Sequence, residues 1–173
     1  MPLLADPNFH KTVTCICEHD GSGALGIVIN RQDIALTARD IFAELGIEPT
    51  GEAGSVSIHI GGPVHMNEIF VLHGPPFSWD GCHSITATLA MSNTIDILKA
   101  IARGKGPEHF ILSLGCAGWG PGQLENELKE NTWLTSPIYD EALFKWAPEE
   151  RWEKVLYKNG INPMGISNMA GNA

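Results

Sequence analysis

Short runs of apolar and β-branched residues punctuate the first third of the chain. Residues 12–18, TVTCICE, and 24–30, ALGIVIN, read as two strands, and the turn-forming residues between them, HDGSG, make the pair a hairpin. The pattern then changes period. Across Leu36–Gly46 the apolar stripe Ile41, Phe42 and Leu45 recurs at helical spacing, and Gly46 ends it. Thr37 suits the N-cap with Asp40 three residues on, and Leu36 and Ile41 suit the flanking apolar pair of a capped helix. Beyond a loop at 49–54, residues 55–60 alternate as a strand that ends in Gly61-Gly62-Pro63. Residues 69–73 form a further strand before a rigid Gly74-Pro75-Pro76 turn, and residues 84–87 a short one. Residues 93–103 carry Ile95, Leu98, Ile101 and Ala102 as the inward face of a helix that stops at Gly104.

The stretch 110–133 is the most structured in its signals. An apolar run, Phe110–Leu114, predicts a buried strand, and glycines at 115, 118, 120 and 122 predict a tight turn. A helix then begins near Pro121 with Leu124 and Leu128 on one face. Two readings of the turn stand side by side. It lets a strand reverse into a helix, or it presents free N–H groups at a helix start to an anion or carboxylate. It matches neither common phosphate-binding signature, and Leu114 stands where a nucleophile elbow around Cys116 would need glycine. Later, residues 140–145 make one or two helical turns. Pro148 opens a helix whose face carries Trp152, Val155 and Leu156 up to Gly160. Strands and helices do not alternate strictly, which predicts a mixed α+β domain over 1–163 with a loose tail over 164–173.

Composition narrows the function classes. With 20 acidic and 11 basic residues among 173, the net charge is −9. That charge disfavours nucleic-acid backbones and anionic membranes. No apolar run approaches the roughly 20 residues of a membrane span, and the N-terminus lacks a basic leader, so the expected location is the cytoplasm. The four cysteines, Cys15, Cys17, Cys82 and Cys116, are then expected as reduced thiols, with Cys15 and Cys17 facing the same side. No Cys-x-x-Cys occurs and the histidines are scattered, so neither a metal nor a cofactor is expected.

Several motifs occur together and in order: DPNF at 6–9, CEHDGSGALGIVINR at 17–31, GGPV at 61–64, LHGPP at 72–76, ARGKGPE at 102–108 and GCAGWGPGQLENELKENTWL at 115–134. Nearly the whole chain resembles the YqgE/AlgH family of small bacterial proteins. The resemblance implies an α+β fold whose mostly antiparallel, bifurcated sheet curls into a pseudo-barrel. It also implies largely unassigned biochemistry, with some members labelled transcriptional regulators. Three departures stand out. Family members usually begin with an apolar strand before the position of Met1-Pro2, so either the start is misassigned or the sheet lacks an edge strand. Gln32 replaces the usual proline, and Cys116 replaces the usual tyrosine.

Candidate chemistry follows from these residues. Arg31, after Asn30 at a strand end, can grip a carboxylate or phosphate or form a structural ion pair. His73 ends a strand as a base or as a hydrogen-bonded structural group. Trp119 walls a pocket or plugs the core, and Gln123 projects from the helix start. The leading expectation is a binding or regulatory protein without a catalytic set. Its glycine-lined cleft of Asn30, Arg31, Gly61, Gly62, His73, Gly118, Trp119, Gly120 and Gln123 would take a small anion or a partner's segment. Alternatives are direct DNA binding, and an enzyme in which Cys116, activated at a helix N-terminus, is paired with a base such as His73.

Overall fold

The strand Phe110–Trp119 is the hub of the sheet. A computed structural model describes residues 6–164. Within them the chain forms strands β1 (Thr14–Asp20), β2 (Gly23–Val28) and β3 (Gln32–Thr37), helix α1 (Ala38–Glu44), and strands β4 (Ser57–Ile60) and β5 (Val64–His73). Then come β6 (His83–Ser84), β7 (Ala90–Ser92), helix α2 (Ile95–Ala102), β8 (Phe110–Trp119), and helices α3 (Gln123–Lys129), α4 (Asp140–Phe144) and α5 (Pro148–Lys158). The expected loose tail lies outside the described residues apart from Met164.

Along one edge β8 pairs antiparallel with β5. Along the other it pairs first with β4, parallel through Leu112–Leu114, and then with β2, antiparallel through Ala117–Trp119. The sheet therefore forks at β8. The fork is held by Gly61, whose N–H donates to Leu114 O at 2.8 Å while its carbonyl accepts from Val28 at 2.9 Å. Backbones approach so closely here that a Cβ on Gly61 would meet Ser113 Oγ and Gly115 O, and one on Gly62 would meet Cys116 O. Gly115, at φ +71, turns β8 from one partner to the next.

The eight-stranded sheet curls into a half-barrel, with β1 and β6 at the ends of its main strand order. The two ends meet where His83 Nδ1 lies 3.6 Å from Glu18 Oε1. Inside the curl, Cys15, Cys17, Ile27, Phe70, Leu72, Met91 and Cys116 form one core. A second core packs α1 and α2 on Ile58, Val71 and Leu112. A third, around Trp119 and Leu124, covers the outer face beside β1 with Ile16, Leu128 and Trp133. The α+β, bifurcated pseudo-barrel expected from the resemblance is the observed architecture.

Several element boundaries differ from expectation, each for a local reason. The strand beginning at Phe110 does not stop at Leu114. It runs to Trp119, because ladder bonds to β2 outweigh glycine's low strand preference. β3 and β7 carry too few periodic positions to be recognised, and β3 takes in Leu36, leaving α1 to begin at Ala38. The Asp40 carboxylate does accept from Thr37 N–H at 2.8 Å, as the capping pattern predicts. Ile95 is 44% exposed, and Ile97 takes the inward position beside Leu98, Ile101 and Ala102. Thr94 caps this helix, so Ile95 sits on its first turn at the rim.

Candidate functional site

The residues singled out in the sequence do not assemble into one cleft. Asn30 clamps the N-terminal segment, accepting from Val13 N–H at 2.7 Å and donating to Lys11 O at 2.9 Å. Arg31 does the same, donating to Pro7 O at 2.6 Å and His10 O at 3.2 Å. Gly61 and Gly62 lie in the fork and are buried. Gly118 is an exposed strand residue opposite Leu25. His73 ends β5, fully buried, with Nδ1 2.7 Å from Gly74 O and Nε2 3.0 Å from Ser92 Oγ. Because a carbonyl only accepts, Nδ1 carries the proton and Nε2 is bare. Burial lowers the pKa of His73, with the Gly74 hydrogen bond opposing it.

Cys116 is not at a helix N-terminus. It lies inside β8, 1% exposed, and burial followed by the nearby Glu68 pushes its thiol up to about 11. Its register partner on β5 is Val64, whereas His73 pairs with Phe110 at the other end of the same ladder. The pairing of Cys116 with His73 is therefore corrected. The thiol that does approach His73 is Cys82, with Sγ 4.0 Å from Nε2. The helix after the glycines has seven residues, and no side chain caps its start. Gly120 N–H donates to Gln123 Oε1 at 3.0 Å, and Asn126 N–H donates to Gly122 O at 3.1 Å.

A different place collects the chemistry of recognition. A cavity of about 370 Å³ lies along β1, between the outer layer carrying α3 and the layer formed by α4 and α5. Trp119, Leu124, Leu128 and Trp133 wall one side. Leu143, Trp152, Val155 and Leu156 wall the other, with Thr12–Ile16 of the β1 region along its length. Of the residues proposed from sequence, Trp119 lines it and Gln123 supports it from behind. Trp119 and Trp133 donate to Glu127 Oε2 at 2.9 and 2.7 Å, and Gln123 donates to Glu127 Oε1 at 2.8 Å. Burial works against the Glu127 charge, but the hydrogen bonds from Trp133, Gln123 and Trp119 outweigh it and lower its pKa. Phe9 adds an edge contact to Trp133 at 5.4 Å. The rim is polar: Asn159 Nδ2 donates to Ser136 Oγ at 2.8 Å, and His19 Nε2 lies 2.8 Å from Glu125 Oε1.

The far wall is pinned by a buried cation. Arg151, 5% exposed, donates through Nη1 to Ile29 O and through Nε to Trp146 O at 3.2 Å. Its Nη1 also lies 3.5 Å from His59 Nε2. A guanidinium only donates, so His59 presents a bare Nε2 and carries its proton on Nδ1, which has no partner among the described residues. Burial and then Arg151 push His59 down to about 4. Burial lowers Arg151 only to about 10, so it stays charged. The sequence signal for Arg151 was a charge beside the Trp152–Leu156 stripe, and that for Glu127 was its place between two tryptophans. Neither belongs to the candidate set that the sequence suggests. Among the described residues no group of His, Cys, Asp and Glu could hold a metal ion, and no helix is long and apolar enough to cross a membrane.

Fold and pocket define a class: a small α+β domain built on a forked, curled sheet, with an apolar pocket at one sheet edge. The sequence profile of the AlgH-like family, DUF179, matches residues 1–164, and this chain belongs to that family. A UPF0301 protein of Desulforapulum autotrophicum is 50% identical over 173 residues, spanning all of this chain and 92% of its own length. One from Rhodospirillum rubrum is 42% identical, with 90% of its length covered. The solution structure of AlgH from Pseudomonas aeruginosa superposes with a TM-score of 0.82 at 40% identity, covering 100% of this chain and 90% of that one. A Corynebacterium diphtheriae protein shares the fold at 17% identity, with a TM-score of 0.73, covering 99% of this chain and 87% of its own.

Proposed function

We propose that this protein acts by binding rather than by catalysis, and that its site is the apolar pocket along β1. On this reading it works in the cytoplasm and influences transcription or other processes indirectly, through the partner it holds. The observation that carries the proposal is the pocket itself: about 370 Å³, walled by three tryptophans and several leucines, with a polar rim. Pockets of a few hundred Å³ with mostly apolar walls are the usual form of a ligand site. A small anion finds less support, because the short helix α3 carries the acidic Glu125 in its first turn. Direct DNA recognition is disfavoured by the net charge of −9.

Tryptophan fluorescence tests this reading, since Trp119, Trp133 and Trp152 all line the pocket. Titration with decanoate and with short apolar peptides should change the emission saturably. Val155→Arg, which puts a charge into a half-buried wall position, should abolish the response while the melting temperature stays within a few degrees. An unchanged titration in the variant would remove the pocket from consideration.

A further inference from the structure

We infer that the occupant of this pocket is an extended, apolar polypeptide segment with basic flanks, added as a further strand to the edge of β1 that no described strand pairs. This rests on the pocket reading above and names its ligand class. β1 pairs only with β2 among the described residues. Ile29 N–H donates to Val13 O at 2.9 Å, which makes Val13 and Ile29 a hydrogen-bonded pair. In an antiparallel ladder such pairs alternate with non-bonded ones. Cys15 opposite Ile27 is then bonded as well, while Thr14 opposite Val28 and Ile16 opposite Gly26 are not. The Val28 N–H accordingly turns away from β1 and donates to Gly61. So the N–H and C=O groups of Thr14 and Ile16 point away from β2, on the side where the pocket lies. Both residues line it.

An acyl chain or small hydrocarbon would leave those backbone groups with no partner beyond the weak contact of Cys15 Sγ with Ile16 O at 4.0 Å, whereas a strand pairs them. Thr14 Oγ1, buried and without a partner among the described residues, adds to the same need. The walls fix the side chains. Ile16 packs in the outer core with Trp119, and Cys15 in the inner core with Leu143. A strand continuing the sheet would therefore be covered on both faces, which selects a continuous apolar run rather than an alternating one. The open edge is short, because the far end of β1 reaches β6 at Glu18 and His83. Glu18 and Glu125 stand near that end, and an acidic chain of net charge −9 favours lysine or arginine beside the apolar run.

The test uses a capped peptide, Lys-Val-Ile-Val-Ile-Val-Lys, and two versions N-methylated at alternate residues, with decanoate as the comparison. Tryptophan fluorescence reads binding, and amide hydrogen exchange reads Thr14 and Ile16. The expected result is slowed exchange at Thr14 and Ile16 with the parent peptide. One methylated version should bind about tenfold more weakly or worse, and the other should keep its affinity. Binding of peptide or decanoate without slowed exchange, and with both methylated peptides equal, overturns the strand and leaves the pocket reading standing. Protection of Thr14 and Ile16 that rises with protein concentration alone makes a second copy the occupant, and also overturns it. If neither peptide nor decanoate binds, the pocket reading itself fails.

Discussion

Trp119 and Trp133 donate their indole N–H groups to one oxygen of Glu127, at 2.9 and 2.7 Å, with their rings edge to face at 5.7 Å. One carboxylate thus ties the end of β8 to the segment after α3 and sets both rings as a single wall. Glu127→Ala is expected to cost about 1.5–3 kcal/mol, the usual loss for hydrogen bonds to a charged group. Urea unfolding followed by fluorescence measures it, and Glu127→Gln, which keeps one acceptor, should recover part of the loss. A Glu127→Ala protein as stable as the parent would show that the wall does not depend on the carboxylate.

Stability should fall with mild acid because of His59. Its folded pKa, about 4, lies below the ordinary histidine value of 6.5, so the unfolded chain takes up the proton first. The native state is then favoured above pH 6.5 and loses stability progressively down to about 4. The slope approaches about 1.4 kcal/mol per pH unit inside that window. His73 shifts in the same direction. Chemical unfolding at pH 7.5, 6 and 5 checks this, and His59→Gln should flatten the profile between 6.5 and 5.

Alkylation should sort the thiols by place. Cys15, Cys17 and Cys116 are buried, and Cys82 is half-buried in its loop. Iodoacetamide at pH 7.5 is expected to modify Cys82 first, with Cys116 reacting only after unfolding. Peptide mass mapping over time reads the order. Early modification of Cys116 would restore it as a candidate nucleophile.

Gly61→Ala places a methyl group against Ser113 Oγ and the Gly115 carbonyl inside the fork. The expected cost is at least about 3 kcal/mol, in the range of severe backbone conflicts. Gly46→Ala supplies the contrast. Its Cβ meets nothing, so only the positive φ of +64 is strained, at about 1 kcal/mol. Thermal melts of the two variants separate crowding from backbone strain.

Arg31→Ala should loosen the N-terminal segment, because its guanidinium holds the Pro7 and His10 carbonyls. Faster proteolysis around residues 6–12, with little change in the global melting temperature, is the expected outcome. Unchanged cleavage would mean that Asn30 alone holds the segment.

What the sequence made legible was local. The Thr37–Asp40 cap, the stripe of α5, the β1–β2 hairpin and Ile41 and Phe42 of α1 all depend on neighbours within a turn or two, whereas Leu45, expected on the same stripe, follows the end of α1 and is 43% exposed. A bifurcated sheet follows from the family motifs alone, and nothing in the sequence places its fork at β8, since pairing of Leu112 with Ile58 and of Ala117 with Gly26 carries no periodic mark. The site was read less well, for the same reason. Glycines at 115 and 118 suggested a turn because their strand role is visible only once β2 lies alongside. Glu127 and Arg151 carry no pattern in the sequence that sets them apart from other charged residues. Their partners are indoles and carbonyls brought near by folding, and no sequence spacing announces them.

The position of β8 has a consequence for how the chain is made. It is the last strand in sequence among the described residues, yet β2, β4 and β5 all lean on it. A polypeptide leaving the ribosome N-terminus first presents those strands before their common partner exists, and contacts of such long separation form slowly. Half-sheets with open edges must wait until Trp119 has emerged. Synthesis of the middle of this chain is therefore the interval in which a chaperone, or a stray strand, has most to grasp.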